Sequence, residues 1–148
     1  MTKTSHIDTF AIDRLPDQKT WPEFVFDENI PIYPEFLNAA ELLLDNGYGA
    51  RPAIYMENEV WSYNQLNRKA NQIAAASCED YGIVPGNRVL LRGNNTPMLA
   101  ALWYGVLKAG AIAVTTMTML RQKELDAIIE VGMPNIIIIE NDLVIDVL

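Results

Sequence analysis

Two short stretches of this 148-residue chain carry the polar chemistry that a ligand site needs, and each follows an apolar run. The first, Arg92-Gly93-Asn94-Asn95-Thr96, leads into a helix whose N-terminal N–H groups could hold an anion. The second, Thr115-Thr116-Met117-Thr118, offers hydroxyls that could meet a substrate or cap the next helix. Each also has a plainer reading, and the plainer reading is preferred: a helix cap with Gly93 easing the turn in the first, a cap alone in the second. Other reactive side chains stand isolated. Cys78 has neither a base nor a second thiol close in sequence and reads as a small semi-buried helix residue. His6 reads as a solvated imidazole in a polar leader, and no metal-ligand spacing occurs.

Composition narrows the function classes. Half the residues are apolar and a fifth are charged, the balance of a globular chain of about one domain. A net charge of −8, with eleven scattered Lys and Arg, argues against a nucleic-acid partner, because phosphate neutralisation needs clustered cations. A single cysteine permits no internal disulfide, which suits a reducing cytoplasm. The opening MTKTSHIDTF lacks an apolar signal core. The longest apolar stretch, 98–114, is interrupted by Lys108 and Gly110, so it reads as a buried helix running into a buried strand and not as a membrane span.

The elements that would position the two loops are marked by their own boundary chemistry. Residues 1–34 form an irregular leader in which Trp21, Phe24, Phe26 and Tyr33 suggest a strap packed on a larger body. Asn38 and Glu41 have capping-box spacing before a short helix ending at Asp45. Residues 53–56 and 59–61, around Glu57-Asn58, read as a β-hairpin. Ser62 and Gln65 form a second capping box, with Trp61 and Leu66 placed to staple it. Leu66, Ala70, Ile73, Ala74 and Ser77 then share one helix face, with Asn67, Arg68, Asn71 and Gln72 on the wet side, and Gly82 stops the helix. Pro85-Gly86 turns the chain into a strand at 88–92. Thr96-Pro97 opens a second helix, apolar nearly all round, that ends at Gly110. On it Trp103 and Tyr104 read as core aromatics, and Gly105 reads as permitting close helix–sheet approach. A strand at 111–114, a helix from Met119 to Val131 stopped by Gly132 and Pro134, and a strand at 135–139 complete the pattern. Three uninterrupted apolar strands joined by helices predict a parallel βαβαβ sheet with right-handed crossovers, preceded by the hairpin and the strap. The domain division that follows is 1–34 as leader and 35–148 as an incomplete α/β subdomain.

The order W-S-Y-x-x-L, then G-I-x-P-G-x-R-V, then L-K-A-G-A-I-A-V resembles the front of the adenylate-forming superfamily. LLRGNNTPMLAALW followed by TTMTMLRQKEL is similar to its benzoate and 2-aminobenzoate CoA ligase branch, and so is the leader DTFAIDRLPDQKTWPEF. The resemblance covers residues 8 to 140, with one departure: the branch usually carries proline at the place of Thr118. It implies an enzyme that uses ATP, magnesium and CoA to convert a small carboxylic acid, aromatic in this branch, into its acyl-adenylate and then its CoA thioester. It also implies that the rest of the same chain is the main partner, with no membrane or nucleic-acid partner and a cytoplasmic setting.

The phosphate-handling Ser/Thr/Gly-rich loop of that family, ending in Pro-Lys, does not occur in these residues, and neither does its C-terminal lysine. No position matches a functional motif of the family. No catalytic, cofactor-binding or metal residue is therefore assigned, and the chain alone is expected to be inactive. Residues 141–148 have no cap and an apolar finish, and Ile136–Ile139 would form an unprotected edge, so a truncation that self-associates through that edge is expected. The alternative reading is a stand-alone interaction or assembly module derived from the family. A flavodoxin-like nucleotide binder would need a phosphate-cradling loop after its first strand, and none is visible.

Overall fold

Local capping chemistry sets most of the element boundaries. The computed structural model describes residues 15–23, 34, 36–45 and 48–146. After a 3-10 turn at Gln18–Thr20, the order is helix α1 (Ala39–Leu44), strands β1 (Pro52–Tyr55) and β2 (Val60–Ser62), helix α2 (Tyr63–Glu79), strand β3 (Arg88–Arg92) and helix α3 (Pro97–Lys108). Strand β4 (Ile112–Thr116), helix α4 (Gln122–Gly132), strand β5 (Ile136–Ile139) and a 3-10 segment at Asn141–Asp146 follow.

The Ser62 box is closed as its spacing predicts. Ser62 Oγ accepts the Gln65 N–H at 3.3 Å, and Gln65 Oε1 accepts the Ser62 N–H at 2.8 Å. Trp61 packs in the same cluster as Leu66, so the staple is also made. Gly82 takes the left-handed conformation (φ +65°) that lets the chain leave α2. Thr96 caps α3 through the Leu99 N–H at 3.2 Å, with Pro97 in the first turn.

Asn38 departs from the reciprocal box. Its Oδ1 accepts the Ala40 N–H at 2.9 Å, while its amide donates to the Leu107 carbonyl of α3 at 2.7 Å. One side chain thus starts α1 and fastens it to α3. Asn67, expected on the wet side of α2, is half-buried and donates to the Asp45 carboxylate. Lys108 reaches the other oxygen of Asp45 at 3.2 Å. Cys78 is exposed on α2, more open than the semi-buried position expected of it.

Strands β1 and β2 form the antiparallel hairpin, one residue displaced from the expected spans, with a register irregularity between Pro52 and Ile54. The three apolar strands make a separate parallel sheet in the order β4-β3-β5, with Leu90 beside Val114 on one side and Ile137 on the other. The chain steps from β3 to β4 and then crosses back over β3 to reach β5. Right-handed crossovers running in opposite directions place α3 and α4 on opposite faces. Side-chain alternation agrees. Val89, Leu91, Ala113, Ile136 and Ile138 share a core cluster with Val106 and Leu102 of α3. Leu90 and Leu125 of α4, each 1% exposed, lie outside that cluster.

Helix α4 starts at Gln122, three residues later than expected, and the Glu124 carboxylate accepts the Arg121 N–H at 3.0 Å at its start. It ends with Met133, not Gly132, in the left-handed conformation (φ 41°). Helix α3 is less enclosed than its apolar sequence suggests: Met98 is exposed, and Leu99, Trp103 and Tyr104 are half-buried. In the leader, Trp21 is 37% exposed and its indole donates to the Pro16 carbonyl at 3.0 Å. Phe24, Phe26, Tyr33 and His6 lie outside the described residues.

Gly105 serves a different neighbour from the one expected. A Cβ there would sit 2.5 Å from Ile73 Cγ2 and 3.0 Å from the Ala70 carbonyl oxygen, so the glycine permits contact between α3 and α2, not between α3 and the sheet. The helix-propensity gain of Gly105→Ala, about 1 kcal/mol, is outweighed by overpacking against a backbone atom. The substitution is expected to destabilise the fold by about 1–3 kcal/mol, read as a lower urea midpoint at unchanged m-value.

Candidate functional site at the carboxyl end of the parallel sheet

Strands β3 and β4 are neighbours whose following helices lie on opposite faces, so their carboxyl ends diverge and leave a crevice between the loops. In open α/β sheets this is where ligands enter. Both loops singled out in the sequence meet at this end.

The β4–α4 loop is held from below by Arg92. This residue closes β3, is only 1% exposed, and aims its guanidinium at the loop's backbone. Nη1 donates to the Met117 carbonyl at 2.8 Å, and Nη2 donates to those of Thr118 and Leu120 at 3.0 and 2.9 Å. A planar guanidinium offers several N–H donors in fixed directions, which a lysine ammonium cannot match. These bonds explain why α4 begins only at Gln122: the carbonyls before it point at Arg92. Thr118 therefore acts here through its backbone, and Thr116 Oγ1 donates to the Leu91 carbonyl at 3.3 Å. No hydroxyl of this loop caps α4, where Arg121 and Glu124 make the cap.

The β3–α3 loop does not make an anion site. Oε2 of Glu140, just past β5, accepts the Asn94 N–H at 2.7 Å and the Asn94 side-chain amide at 2.9 Å. Thr96 Oγ1 takes the Leu99 N–H. A carboxylate of the chain itself thus sits where a phosphate would need a positive potential, so these residues do not fit a nucleotide's phosphates. Gly93 is set closely against it, with an added Cβ 3.4 Å from Glu140 Oε2. Arg92 and Glu140 together bind the ends of all three strands to one another. Neither role was visible in the sequence, where Arg92 is only a strand end and Glu140 lies 46 residues from Asn94.

Above these ties lies a cavity of about 520 Å³ lined by Ile54 and Met56 of the hairpin, Thr96, Leu99, Ala100, Trp103 and Tyr104 at and on α3, with Asn95 and Thr115 at the strand ends. Trp103 packs on one core cluster and Tyr104 on the other, as expected of them, and both, half-buried, also line this pocket. Their rings meet edge to face, with centroids 5.2 Å apart. Among the described residues no group of His, Cys, Asp and Glu is placed to hold a metal, and no helix is long and apolar enough to cross a membrane.

Residues 45–147 match the family of AMP-binding enzymes, and the chain belongs to that family. Among curated proteins it is similar to surfactin synthase subunit 2 of Bacillus subtilis (strain 168), 41% identical over 64 residues, which is 43% of this chain and 2% of that protein. Its fold matches an anthranilate CoA ligase, AuaEII, solved in complex with anthranoyl-AMP, at a TM-score of 0.73 and 23% identity, over 78% of this chain and 22% of that one. It also matches a benzoate CoA ligase from Burkholderia xenovorans LB400 at 0.69 and 23%, over 76% and 23%. The chain thus spans under a quarter of either ligase structure. The parallel sheet, hairpin and helical crossovers are those of the N-terminal part of adenylate-forming enzymes, as the sequence resemblance implied.

Arg92→Met keeps the length of the side chain but removes its donors and leaves three carbonyls at the loop without them. At roughly 1 kcal/mol or more for each unmet acceptor, a loss of about 3 kcal/mol is expected in chemical unfolding. Faster hydrogen exchange confined to 117–125 should accompany it, while the Ser62 and Thr96 cap amides stay protected.

Proposed function

We propose that this chain is the scaffold at the front of an AMP-forming ligase that activates a carboxylic acid, aromatic in character, as its adenylate and passes it to CoA. The family match across residues 45–147 carries the reading. The aromatic preference is supported by the benzoate- and 2-aminobenzoate-type segments at 90–103 and 115–125 and by two aryl-CoA ligases among the fold's neighbours. ATP, magnesium and CoA belong to the whole enzyme. The remainder of that enzyme supplies the phosphate contacts, since the β3–α3 loop is already held by Glu140. The division into a leader, 1–34, and an α/β unit, 35–148, and a cytoplasmic setting complete the proposal.

Two measurements test it. An immunoblot of the source cells against this chain should reveal a product several times heavier than 16.6 kDa. That product should exchange pyrophosphate into ATP when given benzoate-like acids, whereas the 148-residue chain should not. A native product near 16.6 kDa, or a heavier one inert towards every carboxylic acid, would overturn the reading.

The isolated chain is further proposed to self-associate through β5, which among the described residues pairs with β3 alone and carries four consecutive isoleucines. Light scattering should detect oligomers that Ile137→Lys, a charge on a 37%-exposed edge residue, disperses.

A further inference from the structure

We infer that the cavity between α3, the hairpin and the end of β4 is a binding site for a small, neutral aromatic molecule with one hydrogen-bonding edge. Position, size and lining carry the inference together. The cavity lies where the connections of β3 and β4 part to opposite faces, the place in such sheets that backbone leaves open. Its volume of about 520 Å³ falls within the usual range for small-molecule sites. Trp103 and Tyr104, set edge to face to each other, put aromatic surface on the wall for an incoming aromatic group. Ile54, Met56 and Leu99 complete the apolar wall.

Polar groups gather on one side. Asn95 and Thr115 make no side-chain hydrogen bond among the described residues, and Thr96, although it accepts the Leu99 N–H, keeps its own O–H to donate. Among the described residues no Asp, Glu, Lys or Arg lines the cavity. An anionic ligand would give up its hydration there without meeting a cation, so the lining selects a neutral molecule over its anionic analogue. The ligand is therefore distinct from a bare aromatic carboxylate, and its binding needs neither ATP nor CoA. The inference accordingly stands or falls apart from the ligase reading.

Benzamide and benzoate, nearly equal in shape and different in charge, are the probes. Calorimetric titration of the native-length protein without nucleotide, beside Ala100→Leu and Thr115→Val, isolates the cavity from any other aromatic site. Ala100→Leu fills the pocket and should weaken benzamide binding at least tenfold, while Thr115→Val removes one hydroxyl and should weaken it several-fold. The Ala100-sensitive binding should favour benzamide over benzoate by tenfold or more. Unchanged benzamide affinity in both variants, the absence of saturable benzamide binding, or equal Ala100-sensitive affinity for benzoate would each overturn the inference. Thr115→Val decides the matter if Ala100→Leu does not fold.

Discussion

The close approach of α2 and α3 at Gly105 is the constraint on which the rest of the structure depends. A side chain there would overlap Ile73 and press on the Ala70 carbonyl, so the two helix backbones meet with no methyl between them. Helix α3 belongs to both apolar clusters. Val106 and Ala109 pack with β3 and Ile83, while Ala101 packs with Leu66, Ala70 and Leu44. Moving α3 away from α2 would open the second cluster, release Asn38 from the Leu107 carbonyl and draw Lys108 from Asp45. The hairpin, α1 and the sheet are thus assembled around one helix whose position is set by the absence of a single carbon.

What the sequence revealed follows from range. The Ser62–Gln65 box and the Thr96-Pro97 start involve partners within three residues, and their geometry is nearly dictated by spacing. The three apolar strands were legible from their uninterrupted apolar runs. Only β3 is buried along nearly all its length, whereas β4 and β5, expected to be buried as well, are half-buried or exposed because they flank it at the sheet edges. Arg92, Glu140 and Gly105 act on residues 25 or more positions away, and nothing local marks them. The start of α4 was misplaced for the same reason: the helix was expected from Met119, but a distant guanidinium claimed the carbonyls before Gln122. Trp103 and Tyr104 were read as core because aromatics on an apolar helix usually are. Both do pack on the core clusters, and the placement of the hairpin makes them a cavity wall as well.

The carboxyl end of the sheet shows how a fold can prepare a site without supplying its reactive groups. Arg92 fixes the β4–α4 loop through its backbone, and Glu140 fixes the β3–α3 loop through Asn94. Arg92 is buried and Glu140, though exposed, is engaged by Asn94, and among the described residues no charged side chain lines the cavity. Rigid loops carrying neutral, apolar and hydroxyl groups suit orientation, while charge stabilisation has to come from elsewhere.

The strand order has a consequence for synthesis on the ribosome. Strand β3 is made first yet lies in the middle, with one neighbour formed after α3 and the other only after α4. While the chain between Arg92 and Ile139 is still being made, roughly two to ten seconds at ordinary elongation rates, Val89, Leu90 and Leu91 have no complete sheet to join. The stapled hairpin and the closely packed pair α2–α3 can form within that interval from shorter-range contacts. A nascent chain that docks α3 early shields one face of β3 until β5 arrives, so the missing carbon at Gly105 bears on the order of folding as well as on its final energy.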